Sequence, residues 1–343
     1  MSDAQPTIAS IIPVLNESEH IGACLDSLIA QTLSPEKHLI LVLDGGSIDS
    51  TIDEVQSAIE RSKQRGGPQI ELHSNPKKHV AEARNLALTL LPDSIQHTVE
   101  LIGHSTVDPD HLQIRLDEWS RIESSLSTPL AALGIRVKPR QGELGMVENW
   151  IEGTLASPFG SGNGQFDSFS VSGPTKTPAF AMHSRKALLD VGGWDTAYIT
   201  SQDSDLSMRF LESGYAVYRT PATGVSMVKR SGLIKWWKMG HRYGFWRMKI
   251  LQKHPKRMSF REFLPWFGLL TTLAIYMFQP NFVWLLPGCY VAVLFIEGIR
   301  SSLRFKRFST LLGVPFCLVM LHTSFSLGLI DGVLRKGRAP SDR

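Results

Sequence analysis

The sequence predicts an α/β domain built on a mostly parallel sheet with helices on both faces, followed by an α-helical region of different composition. Three observations carry this. From residue 7 to about 220, short β-rich runs alternate with longer amphipathic ones. Between Lys229 and Arg257 there are ten Lys or Arg and no Asp or Glu. From Phe263 to Ile296 no side chain is charged over 34 residues.

The elements follow in order. "TIASIIPV" (7–14) is a strand and 18–31 a helix; "HLILVLD" (38–44) is a strand and 50–64 a helix. "QIELHS" (69–74) and "HTVELIG" (97–103) are strands, followed by helices at 79–91 and 109–123. In such sheets ligands sit beyond the carboxyl ends of the strands. Residues Pro13 to Glu17, Asp44-Gly45-Gly46 and Gly103-His104 all fall there.

At 343 residues and 43% hydrophobic, the chain can bury a sizeable core. Its three cysteines, Cys24, Cys289 and Cys317, fit neither a zinc site nor a disulfide framework, which points to a reducing compartment. The opening residues have no basic region before an apolar run, so no secretory signal is expected.

In the basic segment Trp236, Trp237, Tyr243, Phe245 and Trp246 alternate with cations. A helix of this kind suits a membrane surface, its cations facing anionic headgroups. The alternatives are a solvated helix or a nucleic-acid patch; the apolar segments that follow favour the membrane. The run 263–296 exceeds one span of about 20 residues, and "FQPN" (278–281) divides it. Two short helices follow, at about 263–278 and 282–298, either spanning or only partly entering the bilayer. "RSSLRFKR" (300–307) restores positive charge, and 308–330 is a further span candidate with His322, Thr323, Ser324 and Ser326 on its packed face. The basic tail "RKGR" (335–338) conflicts with an external C-terminus. The expected organisation is therefore a cytoplasmic domain over 1–228, basic aromatic interface helices over 229–262, and a multi-pass membrane region over 263–343.

Asp44 ends an apolar strand before two glycines. A carboxylate there can accept a hydrogen bond from a nucleobase N–H or a ribose hydroxyl, and glycine lets a ligand approach the backbone. "GSGNG" (160–164) is no dinucleotide fingerprint, because no strand runs into it and no clear helix leaves it.

"IIPVLNE", "LDGGSIDST", "NPKKHVAEARNLAL", "GGWD" and "QDSDLSMRFLESGY" resemble, in order and spacing, the family 2 glycosyltransferases, whose fold is the GT-A type. "PFGSGN" (158–163), "HRYGFWRMKILQKHP" (241–255) and "CLVMLHTSFSLGLIDG" (317–332) resemble its membrane-anchored, succinoglycan-type branch. The resemblance implies a nucleotide-sugar donor, with UDP favoured, held by Pro13, Asn16, Glu17, Asp44, Gly45, Arg84 and Asn85. It makes Asp203 the catalytic base of an inverting transfer. It puts Trp194 and Asp205 on the acceptor side, while Arg242 and Arg247, with Lys235 and Lys238, would meet the headgroup of a polyprenyl-linked acceptor.

One motif departs from the family. An Asp-x-Asp or Asp-x-His pair at the end of the fourth strand should hold Mn²⁺ or Mg²⁺ on the diphosphate. Here the stretch is "VELIGHSTVDPDHL", which puts Ile102 at the first acid and His104 at the third position. Three arrangements stay open. His104 ligates the metal with phosphate and water, Arg242 or Arg247 replaces the metal, or catalysis is lost and a nucleotide-binding scaffold remains. Asp108 reads as a helix cap. A polyprenyl-phosphate sugar synthase is a further alternative.

Overall fold

The computed structural model describes residues 5–139, 143–161, 166, 169–229 and 232–337. Gly162, Asn163 and Gly164 of the glycine-rich loop, Arg230 of the basic segment and Arg338 of the tail lie outside these.

The chain begins β1 (Ile8–Val14), α1 (Ile21–Ile29), β2 (His38–Asp44), α2 (Thr51–Gln64), β3 (Gln69–Ser74) and α3 (Val80–Leu90). It continues β4 (His97–Glu100), β5 (Ser105–Val107), α4 (His111–Glu123), β6 (Leu130–Val137), α5 (Met146–Ala156) and α6 (Pro158–Ser161). Then come β7 (Gly173–Pro174), β8 (Met182–Ser184), α7 (Arg185–Asp190), α8 (Gln202–Glu212) and β9 (Ala216–Met227). Four long helices close it: α9 (Leu233–Lys253), α10 (Leu264–Phe278), α11 (Leu285–Phe305) and α12 (Thr310–Leu334).

Two compact units result. The first comprises residues 1–139 and 169–228, the second 140–168 and 229–343. The division falls after residue 228, and 140–168 groups with the C-terminal helices rather than with the 1–228 stretch. The reason is apolar: Ile151 and Leu155 of α5 form a buried cluster with Trp236 of α9 and Cys317 of α12. A buried ion pair from Lys229 Nζ to Glu152 Oε2, 2.7 Å, adds to it.

In the first unit one mixed sheet runs β3-β2-β1-β4-β8-β6-β9-β5, with β7 on β9. The β3-β2-β1-β4 half is parallel, as expected, while β8 pairs antiparallel with β4 and β6. The all-apolar "LILVL" of β2 is buried throughout, which suits a central strand covered on both faces. On α2, Thr51, Val55, Ala58 and Ser62 form the buried stripe, with acids in the first turn and cations in the last. Strand order reverses between β1 and β4, because β2 and β3 lie to one side of β1 and β4 to the other. The crevice of a doubly wound sheet opens at that reversal.

In the second unit α9 lies along α12, and glycines set the spacing. A Cβ on Gly244 would sit 2.0 Å from the Phe325 carbonyl oxygen, and one on Gly328 2.1 Å from that of His241. Trp236, Phe245 and Trp246 are buried, and Trp236 Nε1 donates to the Cys317 carbonyl at 3.0 Å. Three of the five aromatics expected to meet a membrane surface therefore pack inside the protein, where an apolar helix receives them, while Tyr243 stays exposed. Ser324 and Ser326 lie on the packed face of α12 as expected, whereas Thr323 is exposed. Gly328→Leu is expected to break this close approach and cost about 3 kcal/mol or more, since backbone must move. Guanidinium unfolding of Gly328→Leu beside Gly328→Ala checks it, with a graded loss expected from Ala to Leu.

Candidate active site

The loops after β1, β2 and β4 meet at the sheet's carboxyl edge. Asn16 takes a left-handed conformation, φ 54°. Its Oδ1 accepts from Ile48 N–H at 2.9 Å, while its own N–H donates to Ser47 Oγ at 2.9 Å. Glu17 N–H donates to Thr51 Oγ1 at 2.8 Å, and Ser18 N–H to Asp49 Oδ2 at 3.2 Å. Asp49 also accepts from Thr51 N–H at 3.1 Å, so it caps the start of α2, where Ser50 makes no side-chain cap. The Thr51 hydroxyl holds the Asp49 carboxyl down at about 2.

Asp44 is turned inward. It accepts from Gly46 and Ser47 N–H at 3.0 and 3.2 Å and is 6% exposed, so it builds the turn that shapes the loop. Gly46 has φ 88°, and Gly45 lies so close to Lys78 that a Cβ would be 3.1 Å from its carbonyl oxygen. Pro13 pairs with Leu43 of β2, beyond the Ile11–Glu100 step where the β4 ladder stops.

β4 ends at Glu100 rather than Gly103, and 101–104 turn toward β1. There His104 Nδ1 bonds Glu17 Oε1 at 2.8 Å. Gly103 allows this, since a Cβ would lie 2.9 Å from Glu17 Cγ. Glu17 and His104 thus meet at the β1/β4 reversal, with Nε2 of His104 the nitrogen left for a ligand. The side chain of Ile102 supplies no donor, and Asp108 pairs with Lys138. Among the described residues no three His, Cys, Asp or Glu converge as a metal site. The pair has the form of a carboxylate-oriented histidine ligand, able to supply one bond to a cation carried by a diphosphate.

A second constellation lies under α8. Arg84 of α3 is 5% exposed and forks between two acids: Nη1 to Asp203 Oδ1 at 2.6 Å and Nη2 to Glu100 Oε2 at 2.9 Å. Its guanidinium lies 5.6 Å from the centre of the Trp194 ring. Burial opposes the charge on Arg84, but Asp203 and Glu100 outweigh it and hold the guanidinium above its usual pKa. Asp203, in the first turn of α8, has a side chain 46% exposed; no described residue engages its Oδ2. Arg84 and Asp203 are brought together, but Arg84 faces the acids and not the strand-end loops.

Three other expectations change. Asn85 clasps the backbone of Trp194: Nδ2 donates to its carbonyl and Oδ1 accepts from its N–H, both at 2.8 Å. Gly193, φ 71°, makes room, since a Cβ would lie 2.4 Å from Asn85 Oδ1. Trp194 is 2% exposed and part of the core, so it cannot stack on a sugar. Asp205 is fully buried and paired with Arg209 at 2.8 Å, which removes it from an acceptor surface. Arg242 and Arg247 belong to the second unit, where Arg247 pairs with Glu262 at 3.3 Å.

Glu100 escaped sequence reasoning, although an acid between Val99 and Leu101 in a core strand was a readable signal. Burial pushes its carboxyl up to about 8, against the pull of Arg84, while burial holds the neighbouring His183 neutral. Native Glu100 therefore keeps a proton that unfolded chains release above about pH 4.5. Stability from this group falls as pH rises from about 4.5 to 8, by at most about 1.4 kcal/mol per pH unit. Glu100→Gln is expected to flatten that slope, measured by denaturant unfolding at pH 5 and 8. Arg115, also buried, donates to the Leu133 and Phe180 carbonyls at 2.9 and 2.7 Å and faces the same cluster.

Residues 10–128, which carry the strand-end loops, match the family described as "Glycosyl transferase family 2". This is a family 2 glycosyltransferase domain. Similarity beyond that stretch agrees. The succinoglycan biosynthesis protein ExoA of Rhizobium meliloti is 26% identical over 255 residues, 74% of this chain and 73% of that protein. A dolichyl N-acetyl-alpha-D-glucosaminyl phosphate 3-beta-D-2,3-diacetamido-2,3-dideoxy-beta-D-glucuronosyltransferase of Methanococcus voltae is 22% identical, covering 96% of this chain and 97% of its own. The fold is that of the mannosyltransferase PcManGT of Pyrobaculum calidifontis, solved with GDP-Man and Mn²⁺. Its TM-score is 0.58 at 15% identity, over 96% of this chain and 88% of that one. The glycosyltransferase domain thus has relatives named for polysaccharide and lipid-linked glycan synthesis.

Proposed function

We propose that this glycosyltransferase moves a sugar, with inversion, from a nucleotide-sugar to a hydroxyl of a polyprenyl-linked acceptor for surface glycan synthesis. The observation that carries the reading is Asp203: one carboxylate oxygen is held by Arg84 at 2.6 Å, and the other is engaged by none of the described residues. Asp203 Oδ2 takes the acceptor hydroxyl's proton as that oxygen attacks C1 from the face opposite the diphosphate. The C1–O bond to the diphosphate breaks as the new bond forms. Asn16 and Glu17 shape the donor side, with Asp44 and Gly45 holding the turn beside them. A Mn²⁺ or Mg²⁺ ion, bound through His104 Nε2 and the donor's own phosphates, would neutralise the leaving group. The catalytic domain lies on the cytoplasmic face of the cell membrane in this reading, and no nucleic acid is involved.

Ile102 in place of an acid favours a second reading, a nucleotide-binding protein without turnover. Calorimetric titration of the detergent-solubilised chain with UDP, GDP and their sugar conjugates, with Mn²⁺ and with EDTA, separates these. Metal-dependent binding of one diphosphate, lost in His104→Ala, is expected, together with transfer to a lipid acceptor. Binding without transfer would support the scaffold. Absence of binding would remove the donor site.

A further inference from the structure

We infer that the second unit is anchored in a single leaflet and that no helix of it crosses the bilayer. This rests on the membrane-bound reading above and revises its expected multi-pass arrangement. Two helices, Pro280–Phe305 and α12, are long and apolar enough to cross on length and composition alone. Their surroundings argue otherwise.

α12 is not free to enter lipid along its length. Cys317, Ser324, Gly328 and Gly332 lie against Trp236, Gly240, Gly244 and Phe245 of α9, in step along both helices. α9 carries Lys235, Lys238, Arg242, Arg247, Lys249 and Lys253 within 21 residues. Carrying α12 through the hydrocarbon would carry those cations with it, and each is costly at the bilayer centre. What α12 leaves exposed is a stripe, Leu312, Phe316, Val319, Leu327, Ile330 and Leu334, spaced three, four or eight residues apart on one face. Such a stripe beside a basic helix suits a helix lying in the membrane plane.

α10 and the start of α11 are the exposed apolar part. No residue of α10 is buried, and Phe267, Leu270, Met277 and Phe278 are all open. Yet α10 has 15 residues, about 22 Å of helix against a hydrocarbon core of about 30 Å. The uncharged part of α11, 285–296, is shorter still. It ends at Glu297, which is buried, accepting from Ser157 Oγ at 2.8 Å and Arg300 Nη1 at 2.6 Å. The second half of α11 therefore packs on protein, where a Cβ on Gly298 would sit 2.2 Å from the Leu311 carbonyl. Positive charge flanks the apolar pair on both sides, Arg257 and Arg261 before it and Arg300, Arg304, Lys306 and Arg307 after. Arg335 and Lys336 follow α12. All three clusters satisfy the preference for one anionic, cytoplasmic face only if the chain dips in and returns. The fitting partner is one anionic leaflet.

The test uses the full chain in membrane vesicles, right-side-out and inverted, with Cys289→Ser as background. Gln279→Cys at the turn, Phe308→Cys, Leu334→Cys and, as a marker of the catalytic domain, Gln64→Cys are each treated with a membrane-impermeant maleimide. Modification of positions 308 and 334 is expected only from the face that modifies position 64. Position 279 is expected to react from neither face until detergent is added. Modification of 279 or 334 from the opposite face would overturn the inference. A chain that stays in the supernatant when the vesicles sediment, with 279 reacting without detergent, would instead overturn the membrane-bound reading itself.

Discussion

Asp203→Asn is expected to slow transfer to a hydroxyl acceptor by about 10²- to 10⁴-fold, the usual contribution of a positioned general base. Donor binding should be unchanged, because Asp203 lies at the start of α8 and takes no part in the loops that follow β1 and β2. Asparagine keeps an oxygen for Arg84, so the fold should survive and the loss should fall on kcat. The measurement is initial rate against donor concentration with a polyprenyl-diphosphate-sugar acceptor. A polyprenyl-phosphate acceptor already offers an ionised oxygen and needs less help from a base. If Asp203→Asn stays active with that acceptor and no hydroxyl acceptor is used by the native chain, the phosphate-sugar synthase is the correct assignment.

The second large effect is expected at Arg84, on stability and rate together. Arg84→Ala removes the cation between Glu100 and Asp203. Taking one partner from a buried ion pair costs about 3–5 kcal/mol. The buried carboxyl of Glu100, already protonated below about pH 8, escapes part of this. Without Arg84 its pKa rises further above the unfolded value, so the variant's deficit relative to the native chain should widen as pH rises above about 8. Denaturant unfolding at about pH 7 and about pH 10 reads the difference directly, and adding Glu100→Gln should recover stability at the higher pH. Arg84→Lys separates position from charge. A single ammonium cannot fork to two carboxylates, so Lys should restore much of the stability and little of the rate. Full activity in Arg84→Lys would show that Asp203 is not held by that fork.

Much of the domain was readable because its signals are local. Apolar runs such as "LILVL", the stripe of α2 and the glycine turn after Asp44 depend on residues a few positions apart, and the strands and helices fell where those patterns put them. The order of family-like motifs led to the loops that meet at the β1/β4 reversal. The roles within those loops were less readable. Asp44 and Asn85 are spent on backbone N–H and carbonyl groups, and Trp194 and Asp205 are buried. The same residue type serves a ligand or the scaffold according to which groups the fold leaves unpaired around it.

By itself, the sequence determined the alternating α/β domain, its family, the candidate base at Asp203 and the contrast between a charged first part and apolar later segments. The family and the candidate base follow from the resemblance of its motifs, and the rest from composition or short-range pattern. Only the tertiary structure decided that Arg84 serves Asp203 and Glu100, residues 119 and 16 positions away. It alone decided that Glu17 orients His104 across 87 positions, and that Trp236 and Phe245 of α9 are buried against α12. These pairings bring together groups far apart in the chain. Their energy lies in desolvation and fit, which exist only once the chain has folded.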